Sequence, residues 1–330
     1  MRPNYIDKKI VSLVAPSFGC TTSPYNKRLK YAIKNLKKEG FTVYEGENIY
    51  KNEGLIASNT PIARAEEIMD AYKSDSEAII SVGGGELMVE MLEYVDFDVI
   101  KNNPKWFMGF SDNTNLCYTI TTILDIETIY GSNIGGFSLY PFQYDVKDSL
   151  SLLKGKNKIK SFKRFILDDE SDDIIPTYHF NKRVKMINHD FTKAHGRIIG
   201  GCLDCLVSLC GTKYDKTIEY MKRHKDEGII FFMEACDLNS VSLVRALTQL
   251  KYAGWFDLVD YFIIGMSRNY HDKSFGLFMT EAYEHVLLPL KKPVILNASI
   301  GHIPPSTPIK VGGLVDITLN NNELIFEYKD

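Results

Sequence analysis

Short apolar runs recur along the first half of the chain, each closed by glycine, proline or a small polar residue. They are Ile10–Val14 before Ala15-Pro16-Ser17, Phe41–Tyr44, Ala78–Val82 before Gly83-Gly84-Gly85-Glu86, Trp106–Phe110 before Ser111-Asp112, and Thr128–Tyr130 before Gly131. Runs this short, bounded by turn residues, predict buried strands. Segments of helical period lie between them. Asn26–Glu39 puts Leu29, Ile33 and Leu36 on one face and stops at Gly40. Thr60-Pro61 is a cap followed by proline at the first helical position of a helix running to about Tyr72. Asn113–Leu124 is amphipathic. Strands alternating with helices predict a parallel sheet covered on both faces. Ligands of such sheets sit beyond the strand C-terminal ends, where both Gly83–Glu86 and Ser111 fall.

A second α/β pattern occupies the other half. His195–Gly201 is a strand and turn, Leu203–Leu209 a short helix, and Gly228–Met233 a strongly apolar strand with Glu234 at its end. Asn239–Ala253 stacks Leu243, Leu247 and Leu250 and stops at Gly254; Tyr261–Ile264 is a strand and Ser274–Leu288 a helix. Val294–Leu296 leads into the loop Asn297–Pro305, and Ile309–Leu319 with Glu323–Tyr328 reads as a hairpin around three asparagines. Between the halves, basic Lys154–Arg164 and acidic Asp168–Asp173 read as a solvated linker. The expected division is 1–153, a linker over 154–190, and 191–330.

Composition narrows the classes. The chain of 330 residues is 45% hydrophobic and 25% charged, as in soluble globular proteins of two ordinary domains. Its 39 basic against 42 acidic residues give no support for a nucleic-acid partner. No apolar run approaches membrane-spanning length, and the segment MRPNYIDKKIVSLVAPS is too weakly apolar for a secretory signal. Six cysteines in so long a chain are expected as reduced thiols in a cytoplasm.

Three positions draw attention as chemistry. Ser111 sits on a strand-to-helix turn, where a hydroxyl is exposed beside helix amides, the logic of a nucleophile elbow; the second glycine of that motif is replaced by Asn113. The alternative is a helix N-cap. A serine needs a base, usually a histidine oriented by a carboxylate. Of seven histidines, His302 stands between Gly301 and Pro304-Pro305 on a loop after a strand; the alternative is a loop histidine bonded to backbone. Glu234 is delivered to a sheet edge by Ile229–Met233; the alternative is a surface or capping carboxylate. Amides of Gly83–Gly85 and of Asp112 could hold an oxyanion, although the glycines also suit a plain tight turn. They lack the spacing and lysine of a nucleotide loop. Cys202 and Cys205 form a CxxC without a second cysteine or histidine pair, so no metal is expected. Trp106 and Trp255 suit the core.

These pieces, VAPS at Val14–Ser17, AIISVGGGE at Ala78–Glu86, NPKWFMGFSDNT at Asn103–Thr114, GRIIGGCLDCL at Gly196–Leu206, GIIFFMEACD at Gly228–Asp237 and Gly301-His302, resemble the LD-carboxypeptidase family of serine peptidases over nearly the whole chain. That family includes murein tetrapeptide carboxypeptidases and microcin C immunity proteins. The resemblance implies a Rossmann-like parallel-sheet N-terminal domain, a smaller α/β C-terminal domain and a catalytic cleft between them. It implies Ser111 as nucleophile, His302 as general base, Glu234 orienting His302, and an oxyanion hole of the Gly84 and Asp112 amides. It implies no cofactor, a homodimer, and as substrate a small peptide or muropeptide that loses a terminal D-amino acid. Glu86 and Ser132 depart from the family pattern where substrate would sit. An immunity-type amidase acting on peptidyl- or aminoacyl-nucleotides, and a non-catalytic binding module of the same fold, are the rival readings.

Overall fold

The computed structural model describes residues 1–165, 180–181, 184–188 and 192–329. The acidic block Asp168–Asp173, expected in the linker, lies outside them. The chain divides into two compact units: Met1–Lys156 with Pro308–Lys310, and most of the remainder. The second unit, expected as the smaller, is of about the same length.

The first unit alternates strands β1 (Ile10–Val14), β2 (Thr42–Glu45), β3 (Ala78–Ser81), β4 (Trp106–Gly109) and β5 (Thr128–Tyr130) with helices α1 (Tyr25–Lys38), α2 (Pro61–Lys73), α3 (Phe97–Asn102), α4 (Thr114–Leu124) and α5 (Tyr144–Leu153). The sheet order is β16-β5-β4-β3-β1-β2, with β16 (Ile309–Val311) returning late in the chain to its edge. The pairings among β1 to β5 are all parallel. Strands β3, β4 and β5 are buried along their length, which is why they read as unbroken apolar runs. Strand order reverses between β1 and β3, and a doubly wound sheet opens a crevice there, beyond the strand C-terminal ends. The helix after the serine is buried nearly all round. Its threonines return their hydroxyls to the backbone, Thr119 Oγ1 to Asn115 O at 2.5 Å and Thr122 Oγ1 to Tyr118 O at 2.9 Å, so a β-branched helix is tolerated inside.

In the second unit, β6 (Lys158–Lys160), β7 (Arg164–Phe165), β8 (Phe180–Asn181), β9 (Lys185–Ile187) and β10 (Lys193–Cys202) precede helices α6 (Leu203–Leu209) and α7 (Thr217–His224). There follow β11 (Ile229–Glu234), α8 (Ser240–Tyr252), β12 (Tyr261–Gly265), a small hairpin of β13 (Lys273–Ser274) and β14 (Leu277–Phe278), α9 (Met279–Leu287), β15 (Val294–Ala298), β17 (Leu314–Asn320) and β18 (Glu323–Tyr328). The mixed sheet runs β6-β18-β17-β10-β11-β12-β15-β9, with a parallel centre from β10 to β15. Phe231 at its middle meets Trp255, Phe256 and Phe262 edge-on, and Trp255 and Trp106 are both fully buried, as their contexts suggested.

Three expectations change. The basic run at 154–164 is not merely linker: Lys158–Lys160 pairs with β18 as an edge strand, its lysines outward and Ile159 buried. The helix read from Ser274 begins at Met279, because Phe275 and Gly276 both take positive φ and turn the chain back first. The segment read as one strand, Ile309–Leu319, breaks at Gly312-Gly313 into β16 and β17, which serve different sheets. The hairpin itself stands, with Asn321 and Asn322 at φ 47° and 66° in a two-residue turn between Asn320 and Glu323.

Candidate active site

Ser111 is separated from β4 by one residue, Phe110, and opens a 3-10 turn that runs into α4. Its φ is 66°, the left-handed region that a serine enters only at a cost. It is therefore not the extended N-cap of the plain reading; the caps here are Phe110 and Asn113. The turn is held from several sides. Ser111 N donates to Tyr130 Oη at 3.2 Å and Phe110 N to Asn133 Oδ1 at 3.1 Å. Asn113, which occupies the place of the missing elbow glycine, donates from Nδ2 to Gly83 O at 2.9 Å and to Phe110 O at 3.0 Å.

Gly84 backs onto this serine. A Cβ at Gly84 would stand 2.9 Å from Ser111 Cβ, 3.0 Å from Oγ and 3.7 Å from Asp112 N. Only a residue without a side chain lets the glycine loop come so near the hydroxyl. Asp112, 2% exposed, ties the neighbouring loops together. One carboxylate oxygen accepts from Ser17 Oγ and from Met88 N at 2.9 Å; the other accepts from Asn115 Nδ2 at 2.8 Å. Phe18 N donates to Gly84 O at 3.1 Å. Beneath them the buried Arg64 donates from Nη1 to Pro16 O and Leu87 O, both at 3.1 Å, and from Nη2 to Glu90 Oε2 at 3.3 Å. The loops after β1, β3 and β4 are thus one hydrogen-bonded assembly in the first unit, and Gly84, Ser111 and Asp112 lie together in it.

In the second unit, Glu234 ends β11 with no exposed surface, and His302 lies on the loop after β15. His302 Nδ1 is 2.8 Å from Glu234 Oε2. The carboxylate is interior rather than on the surface, and the imidazole is bonded to its side chain. Room is made by Gly301, at φ 107°, where a Cβ would fall 2.4–2.5 Å from the Glu234 side chain. Ile303 anchors the loop against Phe165, Met266 and Tyr270. Burial works against the His302 imidazolium. The Glu234 carboxylate outweighs it, with the Cys236 thiol adding to the effect, and the net result holds His302 well above the ordinary histidine range.

Residues that sequence reasoning left aside surround this pair. Parallel register sets Cys202, the last residue of β10, beside Glu234. Asp204 accepts from Cys236 N and Asp237 N, both at 3.0 Å, and from Cys202 Sγ at 3.4 Å. All six cysteines are thiols. The CxxC had drawn Cys202 toward Cys205; its alignment with Glu234 depends on strand pairing that no local motif reveals. Arg64 and Tyr130 were likewise silent, since a buried arginine or a strand tyrosine carries no signature of its own, and Asn113 was noticed only as a departure from the elbow motif.

An imidazole held by a buried carboxylate can take up and return a proton. A hydroxyl on a strained turn, with amides beside it, is presented for attack on a carbonyl. Comparison with known proteins points the same way. Residues 11–131 match the LD-carboxypeptidase N-terminal domain, and residues 195–317 match the LD-carboxypeptidase C-terminal domain. The chain is 24% identical to the microcin C7 self-immunity protein MccF of Escherichia coli, over 88% of this chain and 86% of that one. It is equally 24% identical to a Bacillus subtilis protein named "Probable murein peptide carboxypeptidase", over 94% and 89%. The fold agrees with the crystal structure of an MccF-like protein from Bacillus anthracis, TM-score 0.84 at 24% identity with both chains fully covered.

Proposed function

The chain belongs to the LD-carboxypeptidase family, and we propose that it is a serine hydrolase that removes a C-terminal residue from small peptides by way of an acyl-enzyme. Ser111 Oγ attacks the scissile carbonyl while His302 accepts its proton. The carbonyl oxygen becomes an oxyanion, received by the amides of Gly84 and Asp112. His302 returns the proton to the departing amine, and the C–N bond breaks. Water, deprotonated by the same imidazole, then releases the acyl group and restores the serine. Glu234 keeps the imidazole in the tautomer whose other nitrogen faces the reaction, and stabilises it when charged. The observation that carries this reading is the pairing of a left-handed Ser111, φ 66°, with a side-chain-free Gly84 against its hydroxyl. The site residues need no metal or cofactor for these steps.

As substrate we propose a muropeptide losing a terminal D-amino acid, in line with the name of the Bacillus subtilis relative. A second reading has support of the same weight: the microcin immunity protein matches at the same identity, and its structure has been solved with glutamyl sulfamoyl guanosine. On that reading the same serine, histidine and glutamate cleave the amide of an aminoacyl-nucleotide. Muropeptides assayed beside aminoacyl sulfamoyl nucleosides decide between the two by kcat/KM. The shared mechanism is tested by Ser111→Ala, His302→Ala and the double variant. If they act as one unit, each single change costs at least about 10³-fold in kcat and the double little more. Undiminished turnover in Ser111→Ala would overturn the serine mechanism, whereas a wild type that turns over none of these substrates would leave only a binding module of this fold.

A further inference from the structure

Cys202 has no part in the hydrolytic steps above, yet it stands inside the machinery. Its Sγ, a Glu234 carboxylate oxygen and a His302 ring nitrogen all lie within 4.8 Å of one another. The backbone explains the meeting. Cys202 and Glu234 are register partners on neighbouring parallel strands, so their side chains emerge on the same face, and the loop after β15 brings His302 over them. Cys202 is 2% exposed, Glu234 not at all, and the His302 side chain 11%. The trio is therefore interior, with its opening on the imidazole side.

A thiolate, an imidazole and a carboxylate are the donor set that zinc takes, with bonds of about 2.0–2.3 Å. Tetrahedral coordination at those lengths separates donor atoms by about 3.5 Å. Donors within 4.8 Å of one another need to close by up to about 1.3 Å to reach it. Thiolate and carboxylate together carry two negative charges, which match those of a divalent cation, so the cation is not buried uncompensated. Three protein ligands leave a fourth position for water. While the thiol keeps its proton, Asp204, itself held by the amides of Cys236 and Asp237, accepts from Cys202 Sγ and orients it; that bond is given up when a cation takes the thiolate. Sulfur and nitrogen donors select zinc-like cations over magnesium and calcium, which prefer oxygen.

We propose that Cys202, Glu234 and His302 form a binding site for a zinc-class divalent cation, and that its occupancy switches hydrolysis off by withdrawing the imidazole. The thiol proton passes to solvent as the metal binds. Binding stands independently of the hydrolase reading; the switching effect rests on it.

The test uses full-length protein and cobalt(II) as a spectroscopic probe. Wild-type chain should bind one equivalent with a thiolate-to-cobalt charge-transfer band, displaced by zinc. Magnesium should not displace it. Cys202→Ser should lose the band and weaken zinc binding by more than about 100-fold, beyond the usual effect of losing an outer partner; Cys210→Ser should keep both. Where circular dichroism shows that Cys202→Ser has not folded, Cys202→Ala and His302→Gln replace it. No thiolate band in wild type, or a band that survives loss of Cys202, overturns the site. In the activity arm, zinc should abolish peptide hydrolysis at the concentrations that fill the site, and a chelator should restore it. Hydrolysis untouched by bound zinc overturns the switch. A chain that binds cobalt through Cys202 and hydrolyses nothing keeps the metal site and loses the hydrolase.

Discussion

His302 places Nδ1 2.8 Å from Oε2 of Glu234, a carboxylate with no exposed surface. An ion pair this deep is sustained only when both partners are satisfied, and removing either leaves an uncompensated buried group. The relationship bears on both chemistry and stability.

His302 must be neutral to accept a proton, and its proton is held more tightly than in an ordinary histidine. The pH profile of kcat/KM should therefore rise through an ionisation lying above about 6.5. Glu234→Gln should move that limb downward and lower kcat by about 10³–10⁴-fold, through the wrong tautomer. Stability follows the opposite course. The folded state binds the His302 proton more strongly than the unfolded chain, so the contribution is complete below pH of about 6.5 and is lost as pH rises through the folded value. Urea unfolding at several pH values in wild type and Glu234→Gln would read both parts.

Ser111 takes φ 66°, where a Cβ is unwelcome. Ser111→Gly should be inactive yet more stable than wild type by about 1 kcal/mol, while Ser111→Ala should be inactive with little gain. Denaturant midpoints compared between the two variants check this; a Ser111→Gly protein less stable than Ser111→Ala would contradict a strained serine.

Gly84→Ala places a methyl group 2.9 Å from Ser111 Cβ. The glycine loop must then back away from the serine. We expect kcat to fall by about 100-fold, with a stability loss of about 1–3 kcal/mol from overpacking. Pre-steady-state acylation measured against the melting curve separates the two effects.

Asp112→Asn keeps size and removes charge. One carboxylate oxygen faces Met88 N and the other faces Asn115 Nδ2, both donors. Either orientation of the amide sets an NH₂ against an N–H. A cost of about 1–3 kcal/mol is expected, together with a loss of kcat as the loops after β1, β3 and β4 loosen.

The parallel architecture was legible because each strand of the first sheet is short, apolar and closed by a turn residue, so period and punctuation agree. The positions of Ser111, Glu234 and His302 at or just beyond strand ends were legible for a related reason: each comes at the close of an apolar run, and strand ends are where an α/β sheet gathers its working groups. What local pattern hides is pairing at a distance. Nothing near Cys202 announces that β10 and β11 align it with Glu234. Nothing in KGKNKIKSFKR separates a linker from an edge strand, since an edge strand also turns lysines outward while burying a single isoleucine. Helix α5 went unread, and the start of α9 was misplaced by the turn at Phe275-Gly276. Arg64 carries no local signature, and its place is set by the backbone carbonyls of Pro16 and Leu87 that it serves.

Strand β16 closes the edge of a sheet whose other strands were all encoded before residue 131. A ribosome therefore emits the second α/β pattern as far as β15 while the earlier one still has an open flank at β5. Nascent chains stalled short of Ile309 should be captured by strand-binding chaperones or pair with one another along that flank, and release should come only when β16 emerges.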